Sequence, residues 1–273
     1  MKVKFYGTRG SIPVAEKKYM EYGGNTPCTL VTFDNGLLTI LDAGSGIRKL
    51  GQELMKLTLS QPLLPIILSH THWDHIQGFP FFLPAYQSNY TISVFLSNRD
   101  RLNRNLEQIF SKQMVTEYFP VGLGAMKANL SFLEPEQESS ITDFGAKVSV
   151  CILNHPGNSY GYRFEYNGKI LVYCTDVEHG DEIDQKVVRL AKGADLLIHD
   201  AQYTPEELVN RKGWGHSSWK QAVEVAQQAG VKKLALFHHD PDHDDAFLCE
   251  EEMKCRQFFP DSFFAKEEME VEW

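Results

Sequence analysis

The sequence is short of basic charge. Its 27 Lys and Arg stand against 36 Asp and Glu, a formal net charge of −9. A protein that holds nucleic acid mainly through a broad basic face is therefore not expected. A phosphate group is still admissible as substrate, because a bound cation can outweigh the global field locally. Cysteine is scarce and unpaired in pattern: Cys28, Cys151, Cys174, Cys249 and Cys255 are five in number and form no CxxC. That argues against a secreted disulfide framework and for a reducing cytoplasm. No run reaches the roughly 18 apolar residues that cross a bilayer. The opening MKVKFYGTRGSIPV lacks the apolar stretch of a signal peptide, so no membrane partner is expected. Repeats, low-complexity tracts and linkers are missing too. The apolar share of 42% and charged share of 23% are ordinary globular values, which argues against disorder, collagen and coiled coil.

What is present reads as one domain over residues 1–273 with an irregular insertion at 98–140. Short strands are expected at 2–6, 28–33, 37–42, 63–68, 91–96, 147–153, 160–166, 169–174, 195–199 and 234–237. Helices are expected from a cap at Ser45 to Leu57, near 182–192, over 218–229 with Gly230 as stop, and over 245–258 behind Asp244. Two sheets with helices packed outside satisfy this order, although periodicity alone does not fix the topology. Within the insertion, Arg101 to Met114 has helical character. The aromatic stretch Glu117-Tyr118-Phe119-Pro120 after it suits either a substrate-facing flap or a surface excursion.

The chemistry concentrates in Ser69-His70-Thr71-His72-Trp73-Asp74-His75, directly after a buried-strand pattern. His70 and His72 are two apart and share one side of an extended backbone. Asp74 and His75 then open a new element. Two imidazoles on one metal, beside a carboxylate and an imidazole on a second, is a geometry this spacing allows. Distant partners also follow strands: His155, Asp176, His199 with Asp200, and His238 with His239. A single histidine after a strand is most often structural, but ligands collect where strand ends converge. Imidazole and carboxylate donors suit Zn²⁺, Mn²⁺ or Fe without a thiolate.

With these residues in place, the chain resembles the metallo-β-lactamase superfamily. Within it, the chain is similar to the branch holding phosphodiesterases and the tRNA 3′-processing endonuclease. The supporting segments are Tyr6-Gly7-Thr8-Arg9-Gly10-Ser11, Gly23-Gly24-Asn25-Thr26, Leu41-Asp42-Ala43-Gly44-Ser45-Gly46, His199-Asp200-Ala201 and Gly215-His216-Ser217-Ser218. The resemblance implies an α/β four-layer αββα sandwich and two divalent metal ions, Zn first, Mn or Fe as alternatives. It assigns His70, His72 and His155 to one metal and Asp74, His75 and His238 to the other. Asp176 and a hydroxide would bridge them. His239 competes with His238 for the last place. Asp200 and His216 match catalytic positions of the endonuclease branch, with His216 serving the leaving oxygen and Asp200 orienting it. Asp42 is expected to hydrogen-bond a ligand or the metal loop, against a plain turn role. Arg163 could face a phosphate or be an exposed charge.

The function expected is hydrolysis of a phosphodiester by the bridging hydroxide. No Gly/Pro-rich or basic arm for gripping tRNA is evident. With the charge of −9, this favours a small or cyclic-nucleotide-like diester over long RNA. A carboxylic ester or lactone hydrolase and a non-catalytic metal-binding module remain open, since fold alone does not decide chemistry. Homo-oligomer formation also stays open.

Overall fold

Several strands of this chain are apolar on both faces, so each sheet needs cover on two sides. The computed structural model, which describes residues 1–59, 61–98, 100, 105–135 and 146–273, supplies that cover with two stacked sheets and outer helices. The strands of the first half are β1 Lys2–Gly7, β2 Cys28–Thr32, β3 Leu38–Leu41, β4 Leu63–Leu68, β5 Thr91–Leu96 and β6 Asn129–Leu133. Those of the second are β7 Lys147–Leu153, β8 Ser159–Tyr166, β9 Lys169–Cys174, β10 Leu196–Asp200, β11 Lys233–Phe237, β12 Ser262–Phe264 and β13 Glu270–Glu272. The helices are α1 Ile47–Leu54, α2 Trp73–Ile76, α3 Leu106–Gln113, α4 Gln185–Ala191, α5 Pro205–Leu208, α6 Trp219–Ala229 and α7 Asp245–Phe258.

One sheet runs β13-β1-β2-β3-β4-β5-β6 and the other β12-β11-β10-β9-β8-β7. The chain's last strand returns to pair antiparallel with its first, Val3 opposite Val271. Period-two alternation sorts the core. Leu171, Tyr173, Leu196, Ile198, Ala235 and Phe237 point between the sheets. Their neighbours Val172, Cys174, Leu197, Leu234 and Leu236 point outward under α4, α6 and α7. Phe237 meets Phe5 of the other sheet with ring centroids 5.9 Å apart. On the far side of β1, Lys4 and Tyr6 both bond Glu53 of α1.

The parallel strands set where the loops converge. β3, β4 and β5 run parallel in one sheet, and β9, β10, β11 and β12 in the other. Their carboxyl ends open on one side of the sandwich. Local signals set the helices that pack behind them. Ser218 and Gln221 form a reciprocal capping box at α6, and Gly230 closes it at φ 66°. Asp244 caps α7 by accepting the Phe247 N–H.

Two expectations are corrected here. Ser45 does not cap α1. The cap position is Gly46, and Ser45 instead ties down Thr26 and Asn25. Arg163 does not face a phosphate site. It donates to the Leu190 and Lys192 carbonyls at the end of α4. The first part of the helix expected from Arg101 lies outside the described residues. Among those described, no helix is long and apolar enough to cross a membrane, and all five cysteines are free thiols.

Candidate metal centre

The open side of the sandwich gathers the histidines and carboxylates of the sequence motifs. β4 delivers Ser69, His70 and His72, and α2 carries Asp74 and His75 in its first turn. His155 follows β7, Asp176 follows β9, Asp200 ends β10 and His238 follows β11. Three of the residues placed at strand ends have left-handed backbone: Asp42 at φ 60°, Asp176 at 53° and His238 at 65°. Outside glycine that conformation is uncommon, although Asp and His tolerate it better than most. It turns each side chain inward just where the strand stops.

The inward atoms form four overlapping groups, two of them without His216. The ligand atoms of His70, His72 and His155 lie within 4.8 Å of one another, and so do those of Asp74, His75, Asp176 and His238. Asp176 touches both. Its Oδ2 lies 3.6 Å from His70 Nε2 and 3.8 Å from His155 Nε2. Its Oδ1 lies 3.2 Å from His75 Nε2 and 3.3 Å from His238 Nε2. Asp74 Oδ2 completes the second group, 3.1 Å from His238 Nε2 and 3.3 Å from His75 Nε2. It also accepts the Ser11 N–H at 2.8 Å.

The outer nitrogens of these rings are spoken for. His155 Nδ1 donates to the Gly215 carbonyl at 2.8 Å. His238 Nδ1 donates to Gln202 Oε1 at 3.0 Å, and His75 Nδ1 to Asp42 Oδ2 at 2.9 Å. A proton fixed on the outer nitrogen leaves the inner lone pair free for a cation. The inner nitrogens then face one another: His75 Nε2 sits 3.3 Å from His238 Nε2. His70 Nε2 is buried with no hydrogen-bond partner. An orphaned inward nitrogen, facing imidazoles and the Asp176 carboxylate, fits a divalent metal ion.

Burial would lower His75, but Asp176, Asp74 and Asp42 outweigh it and raise it well above its ordinary value. Burial alone would raise the Asp176 carboxyl, but the His238, His75 and His70 rings outweigh it and hold Asp176 well below the usual range. Asp74 is likewise held down, against burial, by His75 and His238. Burial pushes His70 well below its ordinary value.

Beside the second group, His216 lies face to face with His238, ring centroids 4.9 Å apart. Its Nδ1 is 2.7 Å from Asp200 Oδ2. Burial would lower its basicity, but Asp200 overrides this and lifts it to about 9. Asp200 is itself fixed by the Val177 and Gln202 N–H groups. Its burial is likewise outweighed by His216, which keeps the carboxyl low. The Asp42 carboxylate accepts from Ser69 N–H, Tyr173 hydroxyl and His75. It therefore bonds the loop that carries the histidine motif, not its own turn. His239 faces away: it donates to the Ala265 carbonyl, stacks on Phe264 and is pushed down to about 3 by burial. Of the two competing histidines, His238 reaches the cluster.

Other contributors were not legible. Gln202 orients His238. Glu178 accepts the Gly213 and Gly215 N–H groups, each at 2.7 Å, and so holds the carbonyl that orients His155. Nothing in the local pattern marks either one. Gly10 and Gly215 did carry a signal as glycines. A Cβ at Gly10 would collide with the His238 ring, and one at Gly215 with His155. Gly44 and Gly46 serve packing, since a Cβ there would strike the Asp74 and Tyr6 carbonyls.

Comparison with known proteins places these features in context. The family described as beta-lactamase superfamily domain matches residues 39–239. Ribonuclease Z of Picrophilus torridus is 25% identical, over 98% of this chain and 94% of its own. Ribonuclease Z of Sulfurisphaera tokodaii is 28% identical, over 97% and 95%. The metallo-beta-lactamase fold protein YhfI from Bacillus subtilis superposes with a TM-score of 0.73 at 21% identity, over 100% of this chain and 98% of that one. Human tRNase Z, short form, gives 0.70 at 21%, over 100% and 99%. These likenesses show the four-layer αββα fold. The relatives also overturn one expectation. A small-molecule partner, with long RNA disfavoured, does not stand against full-length relatives that are ribonucleases. The net charge of −9 misled because it sums the whole surface, whereas phosphate is met locally, where cations would sit.

Proposed function

The chain belongs to the beta-lactamase superfamily, and we propose that this metal-dependent hydrolase of phosphodiesters holds two divalent ions, zinc first, and cleaves RNA. His70, His72 and His155 would hold one ion, and Asp74, His75 and His238 the other, with Asp176 shared. The observation that carries the pair is the division of Asp176, one oxygen toward each group of imidazoles. The RNA assignment draws on the ribonuclease Z relatives and the tRNase Z fold neighbour. A bound metal pair supplies Lewis acidity, which acidifies water and offsets charge on phosphoryl oxygens.

The chain's own residues do the rest. Asp42, Gln202 and the Gly215 carbonyl lock His75, His238 and His155 in the tautomer that turns a lone pair inward. Asp200 keeps His216 protonated and aligned through Nδ1. The Nε2 proton of His216 is then available for the ribose oxygen that leaves as the P–O bond breaks.

The test is cleavage of a tRNA precursor and of a chromogenic carboxylester by chelated, metal-reloaded protein. His216→Ala should lower RNA cleavage by roughly 10²–10⁴-fold with metal content unchanged. Asp176→Ala should lose metal. Dominant carboxylester cleavage indifferent to His216 would sink the reading.

A further inference from the structure

An exposed aromatic depression adjoins the centre, and the ligand set does not use it. Trp73 stands in the chain between His72 and Asp74. Asp74 and His75 turn inward from α2, while Trp73 is exposed and Gln77, one turn on, donates to Thr26 Oγ1 at 3.0 Å. With Phe81, Gln113, Tyr118 and Phe119, Trp73 and Gln77 line a depression of about 220 Å³. Tyr118 and Phe119 come from the aromatic stretch whose pattern suits a flap or a surface excursion.

Three features say what the depression takes. The first is bare aromatic surface: Trp73 is 71% exposed and Tyr118 75%. Such rings beside a reaction centre are unusual unless something covers them. The second is bracing, since Phe119 packs edge-on against Phe81 with centroids 5.3 Å apart. The third is charge: among the described residues the lining holds rings, a proline and two amides but no ionic group. A phosphate gains nothing there. A flat, uncharged ring gains stacking from the aromatic side chains. The volume is below the roughly 300–1,000 Å³ of whole-ligand pockets, so it suits one part of a larger substrate.

We infer that this depression is a subsite for a nucleobase adjoining the scissile phosphate, with Trp73 and Tyr118 as its stacking platform. The inference rests on the proposed RNA cleavage. It makes Trp73 a positioning residue for the reaction, placed by its position in the chain beside two of the proposed ligands.

The experiment uses the full chain, metal-loaded, on an adenine-bearing trinucleotide and on its abasic analogue. Trp73→Ala should raise KM for the base-bearing substrate by roughly 5- to 150-fold, the range that stacking of one base supplies. Trp73→Phe should restore most of it. On the abasic substrate, wild type and Trp73→Ala should be equal. Equal losses on both substrates, or no loss on either, would overturn the inference. A second readout does not depend on cleavage. With chelator present, the trinucleotide should quench tryptophan emission of wild type and not of Trp73→Phe, and a lack of that difference also overturns it. Self-association that Trp73→Ala abolishes, without any base effect, would give the patch to a second copy instead. Failure of wild type to cut RNA while quenching persists would sink the RNA reading and leave the subsite standing.

Discussion

Two histidines outside the proposed ligand set contribute, as buried His239 does, to how the fold meets acid. His179 Nδ1 accepts the Asp184 N–H at 3.2 Å, so its proton is on Nε2 and points to His199 Nε2, 3.2 Å away. His199 in turn donates from Nδ1 to the Asp200 carbonyl at 2.7 Å. Every nitrogen is used once, and both rings must be neutral. Burial, with His199 adding to it, pushes His179 down to about 3, and burial also lowers His199. Unfolded, each takes a proton near pH 6.5. Below that pH the unfolded chain binds more protons, so stability is full above about 6.5 and drains as pH falls toward 3. His179 alone should account for roughly 2 kcal/mol between pH 7 and pH 5. Urea denaturation at the two values checks this, and His179→Gln should shrink the difference by about that amount. An unchanged difference would dismiss the pair as its source. At this scale the sequence was uneven. The HxHxDH run was legible because its residues are contiguous. Gln202 and Glu178 were not, because each matters only through a ring brought to it from elsewhere in the chain.

Elements were easier to read than residues. Alternation in β9, β10 and β11 follows from two buried faces, and strong end signals fixed α6 and α7 to within a residue. α2 was not foreseen as a helix, since four residues carry no periodicity. β6 and β12 were missed. β6 is a half-exposed edge strand that lacks the buried apolar run of its neighbour, and β12 has three residues. The acidic C-terminal stretch holds the three-residue strand β13. The cap of α7 gives a prediction at this scale. Asp244→Ala frees the Phe247 N–H and should cost about 1 kcal/mol, a few degrees in Tm, with RNA cleavage unaltered. Calorimetry beside an activity assay would expose a larger role for Asp244 if both fell.

Across the whole molecule, the centre joins the two sheets. His75 is held by Asp42 of one sheet and faces Asp176 and His238 of the other. Ions that bind only this assembled arrangement should stabilise the fold as well as activate it. At free metal about 1,000-fold above Kd the gain is about 4 kcal/mol. Chelation should therefore lower Tm by many degrees, and readdition of Zn²⁺ should restore it. A Tm indifferent to chelator would mean that the niche is stable without ions. The left-handed residues Asp42, Asp176 and His238 carry a consequence for evolution. Glycine would relax the backbone at all three positions, and it would delete two of the proposed ligands and the support of a third. In the metal-free chain, selection for thermal robustness would weigh that relief against the hydrogen bonds lost at each position, and only selection for activity would hold the ligands. A library screened first for folding and then for catalysis should separate the two pressures at these three sites.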